Sequence, residues 1–140
     1  MTTPSPSQLP DLSGLTVLVV DDDEDAIEVL TTFMNMCGAD VLFARSASDG
    51  LAYIESTPQL DVVITDISMP RIDGYEFTRK IREHRDPARR SVPVIALTGF
   101  QQRYVTTETF DAFLEKPVDF DRLCAVIKML RDRPRSSSAA

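Results

Sequence analysis

Apolar and polar positions along this chain follow two alternating rhythms. Short apolar runs, "LTVLVV", "DVLFAR", "LDVVIT", "VPVIALT" and a briefer "DAFLE", are rich in Val, Ile, Leu and Phe, and three of them lack polar alternation. That is the pattern of parallel strands covered on both faces. Between them the apolar residues recur at helical spacing. A helix is predicted from about Asp25 to Cys37, with Ile27, Leu30, Phe33 and Met34 on one stripe and Gly38 as its stop. A second, "SASDGLAYIES", starts from Ser46 or Ser48 as N-cap. A third runs from Gly74 to about His84, with Tyr75, Phe77 and Ile81 near one face. The last begins near Asp119, carries Phe120, Leu123, Ile127 and Leu130, and cannot continue past Pro134. Only "GFQQRYVTTET" separates the fourth strand from the fifth. With β-branched residues and no clear stripe, it predicts a short or irregular fourth helix.

Strict strand–helix alternation implies an α/β fold, a doubly wound parallel sheet of five strands with right-handed crossovers. At 140 residues, 43% of them hydrophobic and 26% charged, the chain has the size and composition of one globular domain. The Pro-, Ser- and Thr-rich start reads as a flexible tail over 1–14, the domain as 15–132, and 133–140 as a second flexible tail. No apolar run approaches the roughly 20 residues of a membrane span, and "MTTPSPSQLPDLSG" lacks a signal-peptide core, so a cytoplasmic chain is expected. A net charge of −7 argues against non-specific nucleic-acid binding. The local basic stretch "RKIREHRDPARR" reads as a solvated helix end and loop, with His84 on the surface, rather than a docking site. Cys37 and Cys124 both fall in apolar helical patterns and read as small buried hydrophobes rather than a disulfide, a redox role being left open.

In such a sheet ligands bind at the carboxyl ends of the strands. Strand one delivers Asp21 and Asp22 there, strand three Asp66, strand four Thr98, and strand five Lys116 followed by Pro117. Each has an ordinary explanation alone. Acids favour a helix N-terminus, which accounts for Asp23, Glu24 and Asp25 but not for Asp66 arriving from another strand. Two carboxylates about 4 Å apart repel by roughly 4 kcal/mol at an effective dielectric near 20. Three at one rim call for a cation, and an all-oxygen site without His or Cys suits Mg²⁺. A metal and Lys116 flanking a carboxylate would hold a phosphoryl group, Thr98 donating to a further oxygen, with the central carboxylate as nucleophile in forming an acyl phosphate.

These residues resemble the receiver domain of two-component response regulators, over about Leu15 to Asp132, through "VLVVDDD", "VVITDISMPRIDGYE", "VIALTG" and "EKP" in order. The resemblance implies a flavodoxin-like sheet of order 2-1-3-4-5 and phosphoryl transfer from a phosphohistidine of a sensor histidine kinase or phosphotransfer protein. Carried over by motif, Asp66 is the phosphoacceptor, Asp22 a direct Mg²⁺ ligand, Asp21 a ligand through water, and Ser68 the donor of a backbone carbonyl to the metal. Thr98 and Phe113 take the switch positions and Lys116 the phosphate-binding position, its bond to Pro117 typically cis. Met69, Pro70 and Gly74 match the loop after the acceptor. Phe113 stands where the family usually has Tyr or another aromatic, and Thr98 to Lys116 is several residues shorter than family habit.

The expected protein is a stand-alone regulator that signals to a downstream protein target without a DNA-binding domain, a membrane segment or an enzymatic output, a homodimer being left open. Bulky Phe100, two residues after Thr98, is expected to shield the acyl phosphate from water. Competing readings are a degenerate receiver that binds partners without phosphorylation, a flavin protein, and an Asp-nucleophile phosphatase. Carboxylates after the first strand would repel a flavin phosphate. Ser68 stands where such a phosphatase wants a second acid.

Overall fold

The computed structural model describes residues 9–99 and 109–134. Five strands, β1 (Thr16–Val20), β2 (Asp40–Ala44), β3 (Val62–Asp66), β4 (Val94–Thr98) and β5 (Ala112–Glu115), form one parallel sheet of order β2-β1-β3-β4-β5. The helices are α1 (Glu24–Met36), α2 (Ala47–Ser56), α3 (Gly74–Arg82), α4 (Pro87–Arg90) and α5 (Phe120–Asp132). Side chains alternate across each strand, and the core divides accordingly. Val17, Val19, Val62, Ile64, Ile95 and Leu97 pack on one face with Ile27, Leu30 and Met34 of α1 and Leu123, Ile127 and Leu130 of α5. Leu18, Val20, Val63, Val94 and Ala96 pack on the other with Ile54 of α2 and Phe77 and Ile81 of α3. Phe33 of α1 is half-buried, and its ring stacks on Phe120 at the start of α5, centroids 4.4 Å apart.

Helix starts follow the side-chain chemistry of the residue before them. Asp23, Ser46, Asp73, Asp86 and Asp119 each accept a hydrogen bond from a backbone N–H in the first turn of the following helix. Ser46, not Ser48, is the cap of α2. Gly38, just past α1, takes φ +96°, a left-handed conformation that favours glycine. The four-residue α4 lies before β4 and is not the fourth helix expected between β4 and β5, whose segment falls mostly outside the described residues.

Two regions differ from the sequence-based expectation. Residues 9–14, assigned above to the flexible tail, pack on the domain: Leu12 is fully buried, Leu9 lies against the same core, and the Leu12 N–H donates to the Cys37 carbonyl at 2.7 Å. Two leucines give a place against the core to a segment whose Pro and Ser content suggests none. The basic stretch is also less solvated than expected. Arg82 donates to the carbonyls of Arg90 and Val92, both at 2.8 Å, and to Asp111 Oδ2 at 2.9 Å. Arg89 donates to the carbonyls of Ile54 and Glu55 at the end of α2. His84, expected on the surface, has a side chain only 17% exposed, its Nε2 2.6 Å from Glu55 Oε2 and its Nδ1 accepting from the Asp86 N–H. These side chains tie α2, α3 and the start of β4 together.

Candidate functional site

The acidic run after β1 is divided by geometry into four jobs. Asp21 continues the ladder, its N–H donating to the Ala44 carbonyl at 3.1 Å, and its side chain is buried. Asp22 is exposed at the rim. Asp23 turns away to cap α1, and Glu24 pairs with Arg45 at 3.3 Å. Asp66 ends β3 and is buried; Ile67 beyond it keeps the strand pairing through the Leu97 carbonyl. On β5 the ladder likewise runs past the strand, the Lys116 N–H donating to the Thr98 carbonyl at 2.7 Å, which brings the Lys116 side chain to the same rim. The Lys116–Pro117 peptide is cis.

Carboxylate oxygens of Asp21, Asp22 and Asp66 lie within 4.8 Å of one another. Lys116 Nζ sits between the two buried acids, 3.4 Å from Asp21 Oδ2 and 3.3 Å from Asp66 Oδ1. Burial raises the Asp21 pKa, and the Asp66 charge adds to it, against the Asp23 N–H and Lys116. Burial likewise raises Asp66, opposed by Lys116 and by the Ser68 N–H, with the Asp22 charge adding to the rise. For Lys116 burial alone would lower the pKa, but the carboxylates of Asp21 and Asp66 outweigh it and the net shift is upward. Among the described residues one ammonium thus serves three acids, and the pocket carries an excess of negative charge.

That excess is the test of whether a hard cation fits. The donors are all oxygen, they converge within the span of one ion, and among the described residues no His or Cys joins them; such a set suits Mg²⁺. Ser68, expected to contribute through its backbone, is exposed and reaches Asp66 through its N–H. Thr98 is buried at the end of β4 with its hydroxyl donating to the Leu114 carbonyl at a long 3.4 Å, so in this state it faces the β5 backbone. Phe113, on β5 three residues before Lys116, is 39% exposed. Phe100 lies outside the described residues.

The loop from Asp66 to α3 is tightly closed. The Gly74 N–H donates to the Ile67 carbonyl at 2.8 Å, and a Cβ on Gly74 would stand 2.6 Å from the Asp66 carbonyl oxygen and 2.9 Å from the Ile67 Cα. Only glycine allows the helix to start against the strand end at this distance. Between them Arg71 has φ +68°, rare for a side-chain-bearing residue. Sequence reasoning did not find Asp111, whose Oδ2 accepts from Arg82 and from the Val94 N–H at 2.8 Å, and whose Oδ1 pairs with Arg133. It lies at the opposite end of the sheet from the acids, and a lone Asp before a strand carries no signal of such a role.

The "Response regulator receiver domain" family model matches residues 17–128. The response regulator Rre1 of Synechocystis sp. is 36% identical over 135 residues, 90% of this chain, which spans only 55% of the length of Rre1. Protein PilG of Pseudomonas aeruginosa is 33% identical over 82% of this chain and 86% of its own. A receiver domain protein from Clostridium thermocellum superposes with a TM-score of 0.74 at 29% identity, covering 85% of this chain and 95% of that one. Fold, strand order and family model agree: the chain belongs to the response regulator receiver domain family of two-component signalling.

Proposed function

We propose that this receiver domain takes a phosphoryl group onto Asp66 from a phosphohistidine of a sensor kinase or phosphotransfer protein, with Mg²⁺, and signals through phosphorylation-dependent protein contacts in the cytoplasm. The observation that supports this most directly is the position of the Asp66 carboxylate, within 4.8 Å of two further carboxylates and 3.3 Å from Lys116. Asp22 and Asp66, with Asp21 behind them and the Ser68 carbonyl, are the residues that would hold the ion. When bound, Mg²⁺ supplies charge neutralisation for the incoming phosphoryl oxygens.

The chain's own residues do the rest. Asp66, fixed at a strand end and braced by the Ser68 N–H, presents an oxygen for attack. Lys116, held charged by its two carboxylates, is placed to exchange Asp21 and Asp66 for a phosphoryl oxygen. The Thr98 hydroxyl is bound to Leu114 by a bond so long that exchanging it for a phosphoryl oxygen costs little. Phe113 lines a groove with Pro117, Asp119 and Arg122 that a partner would read. The domain is a signalling module, with self-phosphorylation from a small phosphodonor and slow self-dephosphorylation as its only chemistry.

Labelling with acetyl phosphate tests the reading. Mass spectrometry is expected to show one added phosphoryl group in the presence of Mg²⁺, none with a chelator, and none in Asp66→Asn. Labelling that persists in Asp66→Asn would reject Asp66 as acceptor, and its absence under several phosphodonors would favour a receiver that binds its partners without phosphorylation.

A further inference from the structure

Both cysteines of the chain are buried, and both lie in the core on the α1 and α5 side of the sheet. Cys37 closes the C-terminal end of α1, and Cys124 sits on the second turn of α5. The fold brings these distant positions into one buried cluster, near enough for each thiol to perturb the other. Neither thiol takes part in the acidic site. The segment 9–14 is tied to the Cys37 end of this core by the bond from the Leu12 N–H to the Cys37 carbonyl, and Leu9 and Leu12 pack in the same cluster. That bond and two leucines are a modest hold, and terminal segments held by few contacts open well below the free energy of global unfolding.

We propose that Cys37 and Cys124 form a reversible dithiol–disulfide pair, oxidised within one molecule by hydrogen peroxide when the 9–14 strap lifts, and that the bond fastens the end of α1 to α5. The chemistry balances in two steps. The Cys37 sulfur, giving up its proton, attacks one peroxide oxygen; the O–O bond breaks, an S–O bond forms, and the other oxygen leaves as water after taking the proton. The Cys124 sulfur then displaces the hydroxyl from that sulfenic sulfur, and the thiol proton leaves with it as a second water. Each sulfur loses one electron, and the peroxide oxygens gain the two.

The closed fold keeps the pair reduced until it opens. Burial raises the Cys37 thiol, and burial with the adjoining Cys37 pushes Cys124 up to about 12, so neither is a thiolate at neutral pH while covered. Lys128, one turn beyond Cys124, pulls both thiols the other way, and Cys37, the less shifted, is the first to react. The bond would tether two helices that leave the rim from different loops, α1 from the acids and α5 from the Lys116–Pro117 turn.

The test uses the full chain and hydrogen peroxide, in buffer and in urea below the unfolding midpoint, beside a Leu12→Ala variant with a loosened strap. Intact mass without reductant is expected to fall by two hydrogen atoms, with a Cys37–Cys124 linked peptide that dithiothreitol releases. Oxidation is expected to be severalfold faster in Leu12→Ala and in sub-denaturing urea, and the oxidised monomer to unfold at higher urea. In Cys124→Ser the reaction is expected to stop at a sulfenic acid on Cys37 that dimedone traps. A wild-type product that is a disulfide-linked dimer, or that carries sulfinic acid with no linked peptide, overturns the proposal. Equal rates in buffer, in urea and in Leu12→Ala would show that the strap does not gate the pair.

Discussion

Replacing Asp21 by Asn removes a buried negative charge from a pocket that has too many. The Asp21 carboxylate lies within 4.8 Å of those of Asp22 and Asp66, and at an effective dielectric of 20 each pair repels by about 3.5 kcal/mol. Its attraction to Lys116 at 3.4 Å is worth about 5 kcal/mol on the same scale. Repulsion therefore exceeds attraction by about 2 kcal/mol, and screening at exposed Asp22 brings the expected gain to roughly 1–2 kcal/mol. Asn keeps the size of the side chain and can still accept from the Asp23 N–H. Metal-free Asp21→Asn is thus expected to be more stable than the parent at pH 7. For a domain of this size the melting temperature rises by roughly 3–8 °C.

The sign of the pH dependence follows from the direction of the shift. Asp21 has its folded pKa raised, first by burial and then by the Asp66 charge. A carboxyl raised in the folded state contributes stability that is fully present below its unfolded pKa of 3.8 and is lost as pH rises through the folded value. The advantage of the Asp21→Asn variant should accordingly be absent at low pH and grow as the pH rises through the folded pKa of Asp21. Urea denaturation in chelator across pH 4 to 8 reads this directly. A variant less stable than the parent at pH 7, or an advantage that does not change with pH, would show that Lys116 already compensates the acids. Mg²⁺ should then reverse the order, because ligand binding at about 100 times Kd stabilises the parent by about 2.7 kcal/mol and the weakened site by less.

Two further substitutions probe the frame around the site. Gly74→Ala forces a Cβ to within 2.6 Å of the Asp66 carbonyl oxygen, and since backbone on both sides must yield, a loss of about 2–3 kcal/mol in urea titration is expected; a loss below about 1 kcal/mol would show that the loop after Asp66 relaxes freely. Asp111→Ala strips the acceptor from Arg82, Arg133 and the Val94 N–H, and should cost about 2–3 kcal/mol with phosphoryl labelling of Asp66 retained; unchanged stability would mean that these donors find water at no cost.

Most of the sheet was legible because strand and helix impose different periods on the apolar residues, and α/β alternation converts those periods into topology. The rim was legible for a related reason. A strand end is a fixed address, so Asp21, Asp22, Asp66 and Lys116 could be placed together before any coordinate was known. Thr98 reached its address, yet its rotamer turns it toward Leu114, a choice no sequence pattern encodes. What escaped depends on contacts between distant segments. Leu9 and Leu12 sit among polar residues with no periodicity, and only the exposed edge of the core gives them a place. The nearness of Cys37 to Cys124 needs the relative rotation of α1 and α5, which apolar spacing does not determine. Helix α4 had a usable signal, Asp86 as cap with Pro87 at the first helical position, but four residues are too few to show a stripe.

The two ends of β4 and β5 differ in their electrical balance. At the amino end Asp111 is matched by Arg82 and Arg133, and Arg82 also grips two carbonyls. At the carboxyl end, among the described residues, three acids share one lysine. The sheet therefore has a charge-matched foot and a charge-strained crown. A change in the charge count unbalances the crown, where among the described residues Lys116 alone faces the acids, and leaves the paired charges of the foot as they are.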